Sequence, residues 1–420
     1  MMYRKTVLNN GIRIVSEHIP HVQSVSIGIW VKTGSRDENK EENGTAHFIE
    51  HMLFKGTKKR SALQIAKEID AVGGILNAST SREYTNFFAK VLDKDFDLAI
   101  DLLSDIFLNS LFSSQEVKRE RGVIFQEIKM VEDTPDEHVQ DLFSQNFFPG
   151  HPLGYPILGN YTTIAKINRA KLAEFFQNSY LNPLRIIVSV AGKLNHDKVV
   201  EAIDRTLGKI KPKAEVRTWS PPEVIPCIKI FNKNLEQVHL CMGSLGVSQT
   251  HPSRYAGYIL NVILGGSMSS RLFQEIREKR GLAYAIFSYN SSFQDTGILT
   301  IYAGAARDKL KKVIELIMNE LRKLKTKPLR KNELEKAKDQ LKGTILLLWE
   351  NTDVRMSRLA TGEIYFKKHI PLQHILTKIE HVTVDDVQSL SQELFQKKYF
   401  SLVALGSVKE KDVSPNLLEL

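Results

Sequence analysis

Cysteine is nearly absent: Cys227 and Cys241 are the only two in 420 residues. Two thiols cannot build a disulfide framework or a four-cysteine metal site, and such sparse use fits a reducing compartment. Long apolar runs are also missing. The best, at residues 345–349, falls far short of the ~18 residues of a membrane span. The first residues, MMYRKTVLNNGIRIVSEH, lack the apolar stretch of a secretory signal and the Ser/Arg-rich character of a transit peptide. The expectation is a cytoplasmic protein with no membrane partner. Glycine (24) and proline (14) stay near ordinary usage, which excludes collagen-like and low-complexity chains. Basic residues outnumber acidic ones, 58 to 48, but no arginine-rich arm, aromatic RNA-binding motif or zinc-finger spacing accompanies the excess, so no nucleic-acid partner is expected.

What remains is a 42% hydrophobic, 25% charged chain, long enough for two or three packed domains. Residues 6–17 read as two β runs around Asn9-Asn10-Gly11, and 25–33 as a strand rich in β-branched and aromatic residues. Helical spacing follows over 46–54 and 62–72, strand alternation over 76–92, then helices over 96–107 and 113–131, the last ending near Pro135. A short buried strand over 186–190 closes at Gly192. The second half repeats this order: strand 238–245, helices 255–264 and 270–279, strands 283–289 and 297–303, helices 310–324 and 332–349, and a closing strand 401–405 before Gly406. Landmarks recur at a near-constant offset, 281 − 74 = 207 for Gly74 and Gly281 and 406 − 192 = 214 for Gly192 and Gly406. The fold class expected is therefore α+β, an internal duplication giving two tandem, similar sandwich domains of antiparallel-rich sheet and helices. Their expected limits are 1–210 and 227–420, joined by a linker over 211–226 that carries Pro212, Pro221, Pro222 and Pro226.

His47-Phe48-Ile49-Glu50-His51 carries the chemistry. Residues four apart stand on one face of a helix, so His47 and His51 can present two imidazoles to one metal ion. Glu50 falls one step aside, placed to act as a general base on water rather than as a ligand. Apolar flanks (Phe48, Ile49, Met52, Leu53) make this a buried helix, where two histidines and a carboxylate need partners. A catalytic zinc takes three protein ligands and keeps a fourth position open. The helix over 113–131 offers Glu116, Glu120 and Glu127 for the third. Glu127 lies in an otherwise apolar run; the pattern alone equally allows a surface glutamate on the polar side of that helix.

The spacing H-x-x-E-H inverts the H-E-x-x-H of the common zinc proteases. With VKTGSRDE, GTAHFIEHMLFKGT, AVGGILNASTSREYTNFFAKVL, ERGVIFQEIKMVEDTPDEHVQD, HPLGYPILG and LGGSMSSRLFQEIREKRGLAYAIFS around it, nearly the whole chain resembles the M16 (pitrilysin) family of zinc metallopeptidases, which also holds insulin-degrading enzyme and mitochondrial processing peptidase. It is most similar to the short bacterial, processing-peptidase-like members.

That resemblance implies one Zn2+ per chain, held by His47, His51 and Glu127, with Glu50 as base and Glu120 supporting the ligands. The spacing 127 − 51 = 76 fits the family. It implies further that Arg277 and Tyr284 bind substrate and help stabilise the oxyanion, and that Asn77 and Ala78 lie on an edge strand to which substrate adds as a further strand. The implied activity is hydrolysis of unstructured peptides or extended N-terminal segments in an enclosed chamber, by a homodimer or a heterodimer with a related subunit. The alternative is a non-catalytic scaffold or peptide-binding subunit. Where the first half has TAHFIEHMLF the second has RYAGYILNVI, so it is expected to hold no metal and to supply Arg277 and Tyr284 instead. A chain lacking 227–420 is accordingly expected to keep zinc and lose cleavage.

Overall fold

In a computed structural model of the chain, residues 2–214, 219–413 and 415–418 are described. Positions 215–218 of the Pro-rich segment lie outside the described residues. The rest forms two compact units, each built on one mixed sheet.

The first unit comprises residues 1–129, 155–219 and 348–370. Its strands are β1 (Met2–Val7), β2 (Arg13–His18), β3 (Ser24–Val31), β4 (Ile75–Thr80), β5 (Thr85–Leu92) and β6 (Ile186–Gly192), in the order β1-β2-β6-β3-β5-β4. β2 and β6 run parallel; every other pair is antiparallel. All seven residues of β6 are buried, as expected of a central strand covered on both faces, whereas β4 alternates exposed and half-buried residues at the sheet edge.

The second unit comprises residues 130–154, 220–347 and 371–420. Its strands β7 (Ile228–Asn232), β8 (Val238–Leu245), β9 (Ala283–Ser292), β10 (Gly297–Ala305) and β11 (Ser401–Gly406) lie in the order β7-β11-β8-β10-β9, with the single parallel pair at β7/β11. Without β1, the first sheet has the same connectivity, strand for strand. The α+β duplication is thus present, and β4 and β9 are the corresponding edges.

One feature departs from simple tandem halves. The helix Pro135–Phe147 belongs to the second unit, where Val139, Phe143 and Phe147 pack with Cys241, Ile298, Tyr302, Val403 and Leu405. Conversely, the helix Thr352–Tyr365 belongs to the first unit, where Met356, Leu359, Ala360 and Ile364 cover Val15, Trp30, Ile187 and Ala191. Each sheet has one face closed by a helix from the other half of the sequence. The helix Ser114–Asp133 ends near Pro135 as expected, and Pro135 starts a further helix at its first position, where its missing N–H costs nothing.

Helix Thr352–Tyr365 is also fastened by charge. Arg355 Nε donates to Glu17 Oε2 at 3.0 Å, and Lys5 Nζ meets Glu363 Oε2 at 2.7 Å. Both Glu17 and Arg355 are buried. Replacing one member of such a pair strands the other charge in low dielectric. Arg355→Met should therefore lower the free energy of unfolding by about 3–5 kcal/mol in chemical denaturation; a loss below about 1 kcal/mol, the range of exposed pairs, would show that Glu17 is adequately solvated without its partner.

Candidate metal centre

The helix Thr45–Leu53 carries the two histidines. It starts from Gly44, whose φ of +94° lies in the left-handed region and whose place admits no side chain: a Cβ would come within 2.9 Å of Leu158 O and Gly159 Cα. Glycine offers no capping side chain, so the first-turn N–H groups need another acceptor. Glu38 supplies it. Its Oε1 accepts from Ala46 N at 2.6 Å, and its Oε2 accepts from Gly44 N at 2.9 Å and Asn43 Nδ2 at 3.2 Å. The neighbouring charges of the GSRDE segment are buried and paired as well, Arg36 with Glu83 at 2.6 Å and Asp37 with Arg185 at 3.0 Å. This segment thus fixes where the helix begins, a role its sequence does not advertise.

Burial pushes the Glu38 carboxyl up to about 8, against its three hydrogen bonds. Its folded-state value lies above the ordinary 4.5, so folding takes up a proton between these limits. This stabilising contribution is complete below pH ~4.5 and is lost as pH rises through about 8. The difference in unfolding free energy between wild type and Glu38→Gln, followed over that range, should change in that direction; a pH-independent difference would contradict it.

Within the first unit the structure brings His47, His51 and Glu127 together. Among the described residues they form the one group of three or more His, Cys, Asp or Glu side chains able to hold a metal ion, with ligand atoms all within 4.8 Å of one another. Glu127 reaches in from the helix Ser114–Asp133, its Oε2 lying 3.7 Å from His47 Nε2 and 3.5 Å from His51 Nε2. That oxygen is buried and accepts no hydrogen bond. The same helix presents Glu120, whose Oε2 lies 3.1 Å from His51 Nδ1. With a carboxylate as acceptor, the proton of His51 belongs on Nδ1 and its lone pair on Nε2, facing Glu127. The His47 ring is held neutral, its pKa pushed down to about 3 by burial and then by His51. The His47 imidazole therefore offers a lone pair rather than a charge.

Glu50 stands on the same helix. Its Oε2 accepts from Thr80 Oγ1 at 2.5 Å, tying it to the edge strand β4. Burial raises its pKa from the ordinary carboxylate value, while Thr80 and His51 pull the other way. Asn77 and Ala78 are on β4, paired with Phe88 and Phe87 of β5, and the Ala78 N–H donates to Asn77 Oδ1 at 2.8 Å. Arg277 and Tyr284 are in the second unit. Arg277 lies in a π-helical turn, Phe273–Glu278, where an ordinary helix was expected, and stacks its guanidinium over Phe273 (4.7 Å) and Tyr284 (5.2 Å). Tyr284, on edge strand β9, is 77% exposed.

The sequence matches two family descriptions, Insulinase (Peptidase family M16) over residues 13–161 and Peptidase M16 inactive domain over residues 166–341. It is 42% identical to the Bacillus subtilis protein named "Uncharacterized zinc protease YmxG", across 95% of this chain and 97% of that one. A Streptomyces coelicolor protein also named an uncharacterized zinc protease is 38% identical, with 98% and 91% covered. The chain belongs to the M16 peptidase family. The fold agrees: a protease from Helicobacter pylori superposes with a TM-score of 0.89 at 24% identity, over 96% of this chain and 99% of that one. A Pseudomonas fluorescens structure described as a peptidase M16 inactive domain gives 0.89 at 19%, over 97% and 99%.

These M16 relatives are named for zinc, and the residues here suit that ion. Ligands at ~2.0–2.1 Å in a tetrahedron stand about 3.3–3.4 Å apart. The separations of 3.5 and 3.7 Å around Glu127 Oε2 are close to that, and a buried carboxylate oxygen without a donor needs a cation.

Proposed function

We propose that this M16 chain is a zinc-dependent endopeptidase acting on unstructured peptides or extended N-terminal segments, with one Zn2+ per chain held by His47, His51 and Glu127. The observation that carries the reading is the bare Glu127 Oε2, buried and 3.5–3.7 Å from two imidazole nitrogens. When bound, the ion supplies Lewis-acid polarisation of a carbonyl and makes a water more acidic. Glu50 takes the proton of the attacking water and passes it to the leaving amide nitrogen as the C–N bond breaks. Burial raises its pKa, the direction that makes a carboxylate readier to hold and return a proton. Thr80 keeps the accepting oxygen aimed. Glu120 orients the His51 ring.

Strand β4 is the outermost strand of its sheet, which supports binding of an extended peptide beside Asn77 and Ala78, with the Asn77 side chain giving up its bond to the Ala78 N–H. Arg277 and Tyr284 are proposed as substrate contacts; Arg277→Ala should lower kcat/KM while leaving metal content unchanged. Among the described residues no helix is long and apolar enough to cross a membrane, and the proposed setting is cytoplasmic.

The test is cleavage of a quenched-fluorescence peptide by the purified chain, with products read by mass spectrometry. A chelator should abolish cleavage, zinc should restore it, and the cuts should fall at internal bonds. Cleavage indifferent to chelation, or trimming from peptide ends only, would overturn the proposal. Zinc bound with no cleavage would favour a peptide-binding subunit.

A further inference from the structure

Of the two histidines, only His51 has its ring fixed by an acceptor; His47 Nδ1 is buried and has no hydrogen-bond partner. The orientation of the pair therefore depends heavily on Glu120, a carboxylate whose side chain is 5% exposed. A carboxylate so placed has two oxygens and one ring nitrogen to serve. Its Oε2 faces His51 Nδ1 at 3.1 Å, and its Oε1 is taken by Lys55 Nζ at 2.8 Å.

Lys55 is not a loosely tethered surface cation. It lies just past the Phe54 cap of the helix Thr45–Leu53, and its N–H donates to Met52 O at 3.1 Å. Ser110 Oγ donates to the same Met52 carbonyl at 3.1 Å. Gly56, at φ +105°, turns the chain away, and its carbonyl accepts from Leu111 N at 3.2 Å. Thr57 then bridges to Ser110. The backbone on both sides of Lys55 is thus tied down before its side chain reaches Glu120.

We infer that Lys55 is a positioning residue for the metal centre, acting through Glu120: by occupying Oε1 it turns Oε2 to His51 Nδ1 and so presents His51 Nε2 to the metal. The inference rests on the zinc reading above but assigns a residue that reading does not need. An ordinary solvent-edge ion pair would contribute about 0–1 kcal/mol to stability and nothing to metal affinity. Loss of a group that orients a metal ligand typically costs about 10- to 100-fold in affinity.

The experiment is zinc titration of the full-length protein against a competing chelator, with the visible spectrum of the Co2+-loaded protein as a second readout. Lys55→Met should weaken zinc binding about tenfold and alter the Co2+ spectrum. The metal-free variant should keep a cooperative thermal transition, so that the lost affinity is read on folded protein. Lys55→Arg, which keeps a cation on Oε1, should restore affinity and spectrum. Because Lys55 acts through Glu120, Lys55→Met/Glu120→Gln should bind no more weakly than Glu120→Gln alone. Wild-type zinc affinity and spectrum in Lys55→Met, or full additivity in the double variant, would overturn the inference while leaving the metal centre intact. A wild-type protein that binds no zinc would overturn the functional reading itself.

Discussion

Glu50→Gln is expected to lower kcat for peptide hydrolysis by about 10²- to 10⁴-fold, the range for losing a positioned general base, and to leave zinc content at one per chain. The substitution changes little else. Glutamine has the same length and can still accept from Thr80 Oγ1, which donates to Glu50 Oε2 at 2.5 Å. The three proposed ligands are other side chains, so metal retention separates loss of the base from loss of the site. Activity within a few-fold of wild type, measured on the zinc-loaded variant, would mean that another group handles the proton.

The second large effect concerns the chain cut within its Pro-rich segment. The sequence and the family resemblance lead one to expect that a fragment without residues 227–420 keeps zinc. The exchanged helices argue for the opposite result, because the fragment lacks Thr352–Tyr365 and so uncovers Val15, Trp30, Ile187 and Ala191. Each buried Leu, Ile or Met lost is worth about 1.5–3 kcal/mol. Met356, Leu359 and Ile364 together, with the Arg355–Glu17 pair, rival the whole stability of an average domain, about 5–15 kcal/mol. Residues 1–226 alone should therefore aggregate or bind hydrophobic dyes and hold no stoichiometric zinc; co-expression with 227–420 should restore a soluble, zinc-binding complex. A monomeric, cooperatively folding 1–226 with full zinc affinity would contradict this.

Much of this was legible in one dimension. The β-branched and aromatic run of β3, the alternation that includes β5, the short strands β8 and β10 and the helical spacing over 46–54 depend on local pattern alone, and each appears within a few residues of its expected bounds. The exchanged helix Thr352–Tyr365 was not legible, because its inner side carries Thr352, Arg355 and Glu363. Buried charges blur the apolar stripe that marks a packed helix, and their partners, Glu17 and Lys5, lie more than 330 residues away. The His47/His51 pair follows from i,i+4 geometry. Glu127 does not: its helix pattern fits a surface glutamate equally well, and only the family resemblance singled it out. Glu38 and Lys55 gave no signal, since each acts through partners brought close by a turn or by another helix.

The most direct test of the account is an anomalous-scattering measurement on crystals of the wild-type protein soaked in zinc. The account predicts one strong peak per chain, coordinated at about 2.0–2.2 Å by His47 Nε2, His51 Nε2 and Glu127. Absence of a peak between these groups, with Glu127 turned away from the two rings, would contradict it.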